Sequence, residues 1–90
     1  MLLAAPNPSS YVVRFVLPDL SAGQSVALEV VSVDGRLIWR AEPREGTIVW
    51  DGRDASGRSI ASGVYFARLL SAGTEIARTT LVRAAARVER

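Results

Sequence analysis

The stretch Val26-Ala27-Leu28-Glu29-Val30-Val31-Ser32-Val33-Asp34-Gly35-Arg36-Leu37-Ile38-Trp39-Arg40-Ala41 decides the fold class. Val26, Leu28 and Val30 alternate with Ala27, Glu29 and Val31. That period of two puts one set of side chains on each face of a strand, where a helix would need a period near 3.6. Asp34-Gly35 supplies the positive-φ residues of a tight hairpin. Leu37 to Ala41 is then the return strand.

The same period runs outward in both directions. Upstream, Tyr11, Val13, Phe15 and Leu17 alternate with Val12, Arg14 and Val16, and Pro18 ends the run because it cannot donate to a ladder. Ser21-Ala22-Gly23-Gln24 is a polar connection. Downstream, Pro43-Arg44-Glu45-Gly46 is a break, and Thr47-Ile48-Val49-Trp50 is a short β-branched strand. Asp51 to Arg58 is the longest polar stretch. Gly63 opens a strand from Val64 to Leu70, Ser71-Ala72-Gly73-Thr74 is another hairpin connection, and Glu75 to Val82 closes the pattern. Six strands result, with a possible short one near Leu3 to Pro6. They are spaced as in a β-sandwich or barrel. The core should hold Val13, Phe15, Leu17, Val26, Leu28, Val30, Ile38, Ile48, Trp50, Tyr65, Leu69 and Leu81, with Tyr65 tying its hydroxyl to backbone near a strand corner. Residues 84–90 form a tail too short for a stable helix alone, expected to fray or make one loose turn.

Ninety residues give one domain, 1–90, with its folded part at 6–83. Cysteine, histidine and lysine are all absent. That excludes disulfide scaffolds, zinc knuckles, serine- and cysteine-type triads, Schiff-base chemistry and a P-loop lysine. No enzyme activity, catalytic residue or cofactor is expected. The net charge is +2 and the arginines are dispersed along the chain, so no basic stripe for nucleic acid arises. Met1 to Ala5 is too short for the apolar region of a signal peptide, and no apolar run of ~20 residues exists, so membrane insertion is not expected.

Several segments in this order carry a resemblance. They are Asn7-Pro8, Phe15-Val16-Leu17-Pro18, Val26-x-Leu28-x-Val30, Asp34-Gly35-Arg36, Trp50-Asp51-Gly52-Arg53-Asp54-Ala55-Ser56-Gly57-Arg58 and Ala61-Ser62-Gly63-Val64-Tyr65-Phe66-Ala67-Arg68-Leu69. The chain resembles the immunoglobulin-like domain of the flagellar hook-capping family and the related C-terminal sorting domains of type IX secretion cargo, over roughly residues 6 to 83. The resemblance implies an antiparallel immunoglobulin-like (fibronectin III-like) β-sandwich of six or seven strands, the C-terminal module of a larger secreted protein. It also implies a sorting or anchoring role, with export to the bacterial surface. Its partner would be a protein, either the export machinery or a parent catalytic domain. The alternatives are a hook-cap-like assembly module and a carbohydrate-binding accessory module.

Three groups of residues are candidates for a site. Asp51, Asp54 and Ser56 offer oxygens to a calcium ion, or else cap their own turn. Trp39, Tyr11 and Phe66 would make an aromatic platform for a polysaccharide, or else Trp39 covers a sheet edge or packs against a parent domain and Phe66 fills a second layer. Arg14, Arg68 and Arg78 alternate with apolar residues. They form a solvated face with cross-strand partners such as Glu29 and Glu75, or else a docking face for an acidic receptor.

Overall fold

The computed structural model describes residues 1–9, 11–19, 24–43 and 46–84. It is all-β, with seven strands: β1 (Leu3–Ala5), β2 (Val13–Val16), β3 (Val26–Ser32), β4 (Leu37–Ala41), β5 (Thr47–Trp50), β6 (Gly63–Ser71) and β7 (Thr74–Arg83). They form a three-stranded sheet, β1-β2-β5, and a four-stranded sheet, β4-β3-β6-β7, with every neighbouring pair antiparallel. Lettered from A, this is A-B-E against C′-C-F-G, the arrangement of an immunoglobulin-like sandwich. No helix occurs among the described residues, and none is long and apolar enough to cross a membrane. The expected connection at 21–24 and the break at 43–46 fall partly outside the described residues, and the tail from Ala85 onward falls wholly outside them.

The alternation of β2 reads directly as burial. Val13 and Phe15 are fully buried while Arg14 and Val16 face solvent. In β3, Val26 to Val31 are all buried. Val26, Leu28 and Val30 enter the core, whereas Ala27, Glu29 and Val31 are covered on the outer side because β4 and β6 flank the strand. Each fully buried Leu, Val or Phe stabilises the fold by ~1.5–3 kcal/mol relative to exposure. All the expected core residues are buried except Ile48, which is half-buried and packs against the core. Leu2 and Ala67 join them.

The turn chemistry follows the sequence in part, since of Asp34-Gly35 only the glycine has positive φ. Gly35 has φ +86°, and the Gly35 and Arg36 amides are tied back to Ser32. Ala72 and Gly73 both have positive φ, the two-residue turn whose twist suits a hairpin. The Tyr65 hydroxyl donates to the Ala61 carbonyl at 2.7 Å, the tyrosine corner of such sandwiches.

Trp39 departs from the expectation that it covers a sheet edge. The β3–β4 register slips between Val30 and Val31. This bulge breaks the strict in–out alternation, and both Ile38 and Trp39 pack on the core. The Trp39 ring stacks on Trp50 at 5.4 Å between centroids and lies 6.5 Å from Phe15, with Phe15 and Trp50 6.3 Å apart. Such pairs add ~0.5–1.5 kcal/mol each beyond their burial.

Candidate functional site

The polar loop after β5 is held by its own side chains. Asp54 Oδ1 accepts from the Ser56 hydroxyl at 2.6 Å and from the Ser56 and Arg58 amides at 2.9 and 3.0 Å. The Ser56 hydroxyl, then the Arg58 amide, hold this carboxyl below the usual carboxylate range. Asp51 Oδ1 accepts from the Arg53 amide, and the Arg53 carbonyl accepts from the Trp50 indole at 2.9 Å. Asp51, Asp54 and Ser56 therefore sit in the geometry of turn caps. Among the described residues no group of three acidic, cysteine or histidine side chains is placed to hold a metal ion.

Gly52 marks a junction that sequence reasoning missed. Its φ is +78°, and a Cβ built there would lie 2.1 Å from Arg83 Nη2 and 3.2 Å from the Tyr11 carbonyl oxygen. Only glycine lets the guanidinium come so close. Arg83, 6% exposed, donates through Nη1 to Ser9 Oγ at 2.9 Å and to the Tyr11 carbonyl at 2.6 Å. Its guanidinium lies over the Trp50 ring, 5.5 Å from the centroid, a contact that strengthens when desolvated. Burial pulls its pKa below the usual guanidinium value. Beside it, the Asn7 side chain donates to the Thr80 carbonyl and accepts from the Val82 amide at 2.9 and 2.8 Å. Ser9 runs parallel to the end of β7, with the Ser9 amide donating to Val82 and the Ala84 amide to Ser9. The signal for Arg83 was present: if Leu81 faces in, period two sends Arg83 in as well. Asn7, Trp50, Gly52 and Tyr65, all within the segments that carry the family resemblance, are thus engaged in holding the fold.

The candidate interaction residues separate onto different surfaces. Phe66, Arg68 and Arg78 share the outer face of the four-stranded sheet. Arg40, Glu29, Arg68 and Arg78 stand in register across β4, β3, β6 and β7. Glu29 pairs with Arg40 at 3.0 Å and Arg68 at 2.8 Å, and Arg78 with Glu75 at 2.9 Å. The Arg78 ion pair lowers the pKa of Glu75, and its guanidinium lies 5.2 Å over the Phe66 ring. Arg14 lies on the other sheet, exposed. The three rings of the candidate platform do not meet. Trp39 is stacked between the sheets, Phe66 lies under Arg78, and Tyr11 is exposed in the segment leading into β2.

No protein-family model matches the chain, and no curated protein matches it. Among solved structures it is similar to a segment of PorZ, a bacterial surface component of the type-IX secretion system of Porphyromonas gingivalis. The identity is 23% and the TM-score 0.72, over 92% of this chain and 11% of PorZ. The likeness supports the immunoglobulin-like sandwich, and the chain spans a small part of PorZ's length.

Proposed function

We propose that this chain is a non-catalytic sorting or anchoring module of an exported bacterial protein, of the kind handled by type IX secretion. The observation that carries the reading is the likeness of nearly the whole fold to a segment of a type-IX surface component. The arrangement of the polar residues favours recognition over chemistry. Asp51 and Asp54 accept from neighbouring turn amides, and Arg83 is enclosed against Ser9, Tyr11 and Trp50. Recognition of this kind needs a folded surface and depends on the outer faces of the sheets.

The test is a fusion of residues 1–90 behind an unrelated folded reporter, expressed in a bacterium with a working type IX system. The expected result is reporter at the cell surface, lost for Trp50→Ala together with the fold. Reporter that stays wholly inside cells exporting their own cargo normally overturns the proposal. Turnover of peptide, ester or glycoside substrates by the purified chain, abolished by Asp51→Asn, would overturn its non-catalytic part.

A further inference from the structure

We infer that the outer face of the three-stranded sheet is a docking surface for a protein partner presenting an apolar patch with one carboxylate at its centre. Two registered rows make this face: Leu3, Val16 and Thr47, then Ala5, Arg14 and Val49. Leu3 is 50% exposed, Val16 39%, Val49 54%, and Val12, next along the same side of the chain, 49%. A cluster of exposed apolar side chains on one sheet face marks an interaction surface more often than scattered ones do.

Charge complementarity selects the occupant. On the opposite sheet Arg40, Arg68 and Arg78 each have a carboxylate within 4 Å. Arg14, on the central strand of its sheet, has none among the described residues, and its only cross-strand neighbours are Ala5 and Val49. A partner that dehydrates the valines also dehydrates this guanidinium, and a facing carboxylate compensates that desolvation. A second copy docked about a two-fold axis through this face brings Arg14 toward Arg14, which charge repulsion disfavours. A lone cation among short aliphatic side chains is also a poor membrane anchor, because adsorption to anionic lipid grows with the number of basic residues. The inference does not depend on export and stands or falls separately from it.

The experiment places the photo-crosslinking residue p-benzoylphenylalanine at Val49 in the full polypeptide, in the cells that make it, with a control at Val64. Val64 is similarly exposed but lies on β6 of the other sheet. The expected outcome is a discrete crosslinked product from Val49 and not from Val64. The crosslinked peptide, read by mass spectrometry, should carry Asp or Glu among apolar residues. Arg14→Glu should lower the yield about tenfold and Arg14→Lys should largely retain it. Unchanged thermal unfolding of the Arg14→Glu chain would show that the lost yield is not lost folding. A product insensitive to Arg14→Glu, a product that is a second copy of this chain, or no product at all overturns the inference. So does co-sedimentation of the purified chain with phosphatidylglycerol vesicles that depends on Arg14.

Discussion

Glu29 and Arg83 are the charged residues that the sandwich buries among those described, and it accommodates them by different means. Glu29 sits on the outer side of central strand β3 between Arg40 and Arg68, whose side chains are 46% and 34% exposed. Its neutralisation is a matter of opposite charges at the edge of water. Arg83 lies between the sheets, held by a hydroxyl, a main-chain carbonyl and the face of an indole. The first arrangement is open to salt, because ions screen charges that water reaches. The second depends on packing, because the acceptors are neutral and fixed. The first joins strands already paired by their backbones. The second joins the segment before β2, the loop after β5 and the end of β7, which no single ladder links.

The largest expected loss is on the packed side of this comparison. Trp50→Ala removes the ring shared by Trp39, Phe15 and Arg83 and should cost ~3–5 kcal/mol, against a total of ~5–15 kcal/mol for a domain. Urea unfolding followed by far-ultraviolet circular dichroism measures it, and a loss below ~1 kcal/mol would contradict the central role given to this ring. Gly52→Ala comes next, at ~2–4 kcal/mol, from a positive φ and a displaced guanidinium. Combined with Arg83→Ala it should cost less than the two single losses summed, because the clash then has no target. Additive losses would show that Gly52 and Arg83 act independently.

On the exposed side, Glu29→Gln should cost ~1–2 kcal/mol at low salt and less at high salt. The Gly52→Ala loss should be the same in both, and a salt-sensitive Gly52→Ala would erase the distinction between the two arrangements. Lowering the pH sharpens it further. Asp54 has its pKa depressed by the Ser56 hydroxyl and then the Arg58 amide. Its contribution is therefore present above the ordinary value of 3.8 and lost as pH falls through the depressed one. Asp54→Asn should flatten the stability profile in that acid window and lower stability by a pH-independent amount near neutrality. Arg78→Ala is the smallest effect: an exposed ion pair with Glu75 should change the unfolding midpoint by no more than its measurement error.

Much of the fold was legible because period two and turn chemistry act locally. Val13 and Phe15 point in, Arg14 points out, and Gly35 adopts the positive φ that Asp34-Gly35 announces. Trp39 was misplaced because a bulge between Val30 and Val31 is invisible in the pattern of one strand. Arg83 escaped notice, since an arginine in a core is unusual unless its donors are met. Its Nη1 is met by Ser9 and Tyr11, far away in sequence. The carboxylates of the 51–58 loop have two uses open to them in the sequence, and their hydrogen bonds in the structure go to the turn. The apolar outer face of β1, β2 and β5 required the register of three separated segments, which alternation alone does not provide.

The bond between Ser9 and Arg83 spans 74 residues, and that separation has a consequence for the order of events during synthesis. Strand β7 leaves the ribosome last of the seven. Until it does, β6 lacks its neighbour on one side, the Asn7 side chain lacks the Thr80 and Val82 groups it bridges, and Trp50 lacks the guanidinium over its ring. Contacts this distant in the chain carry the entropy of closing a long loop before they return any stability. These seven strands therefore remain an open half-sandwich until β7 has been made, and the core closes only after that.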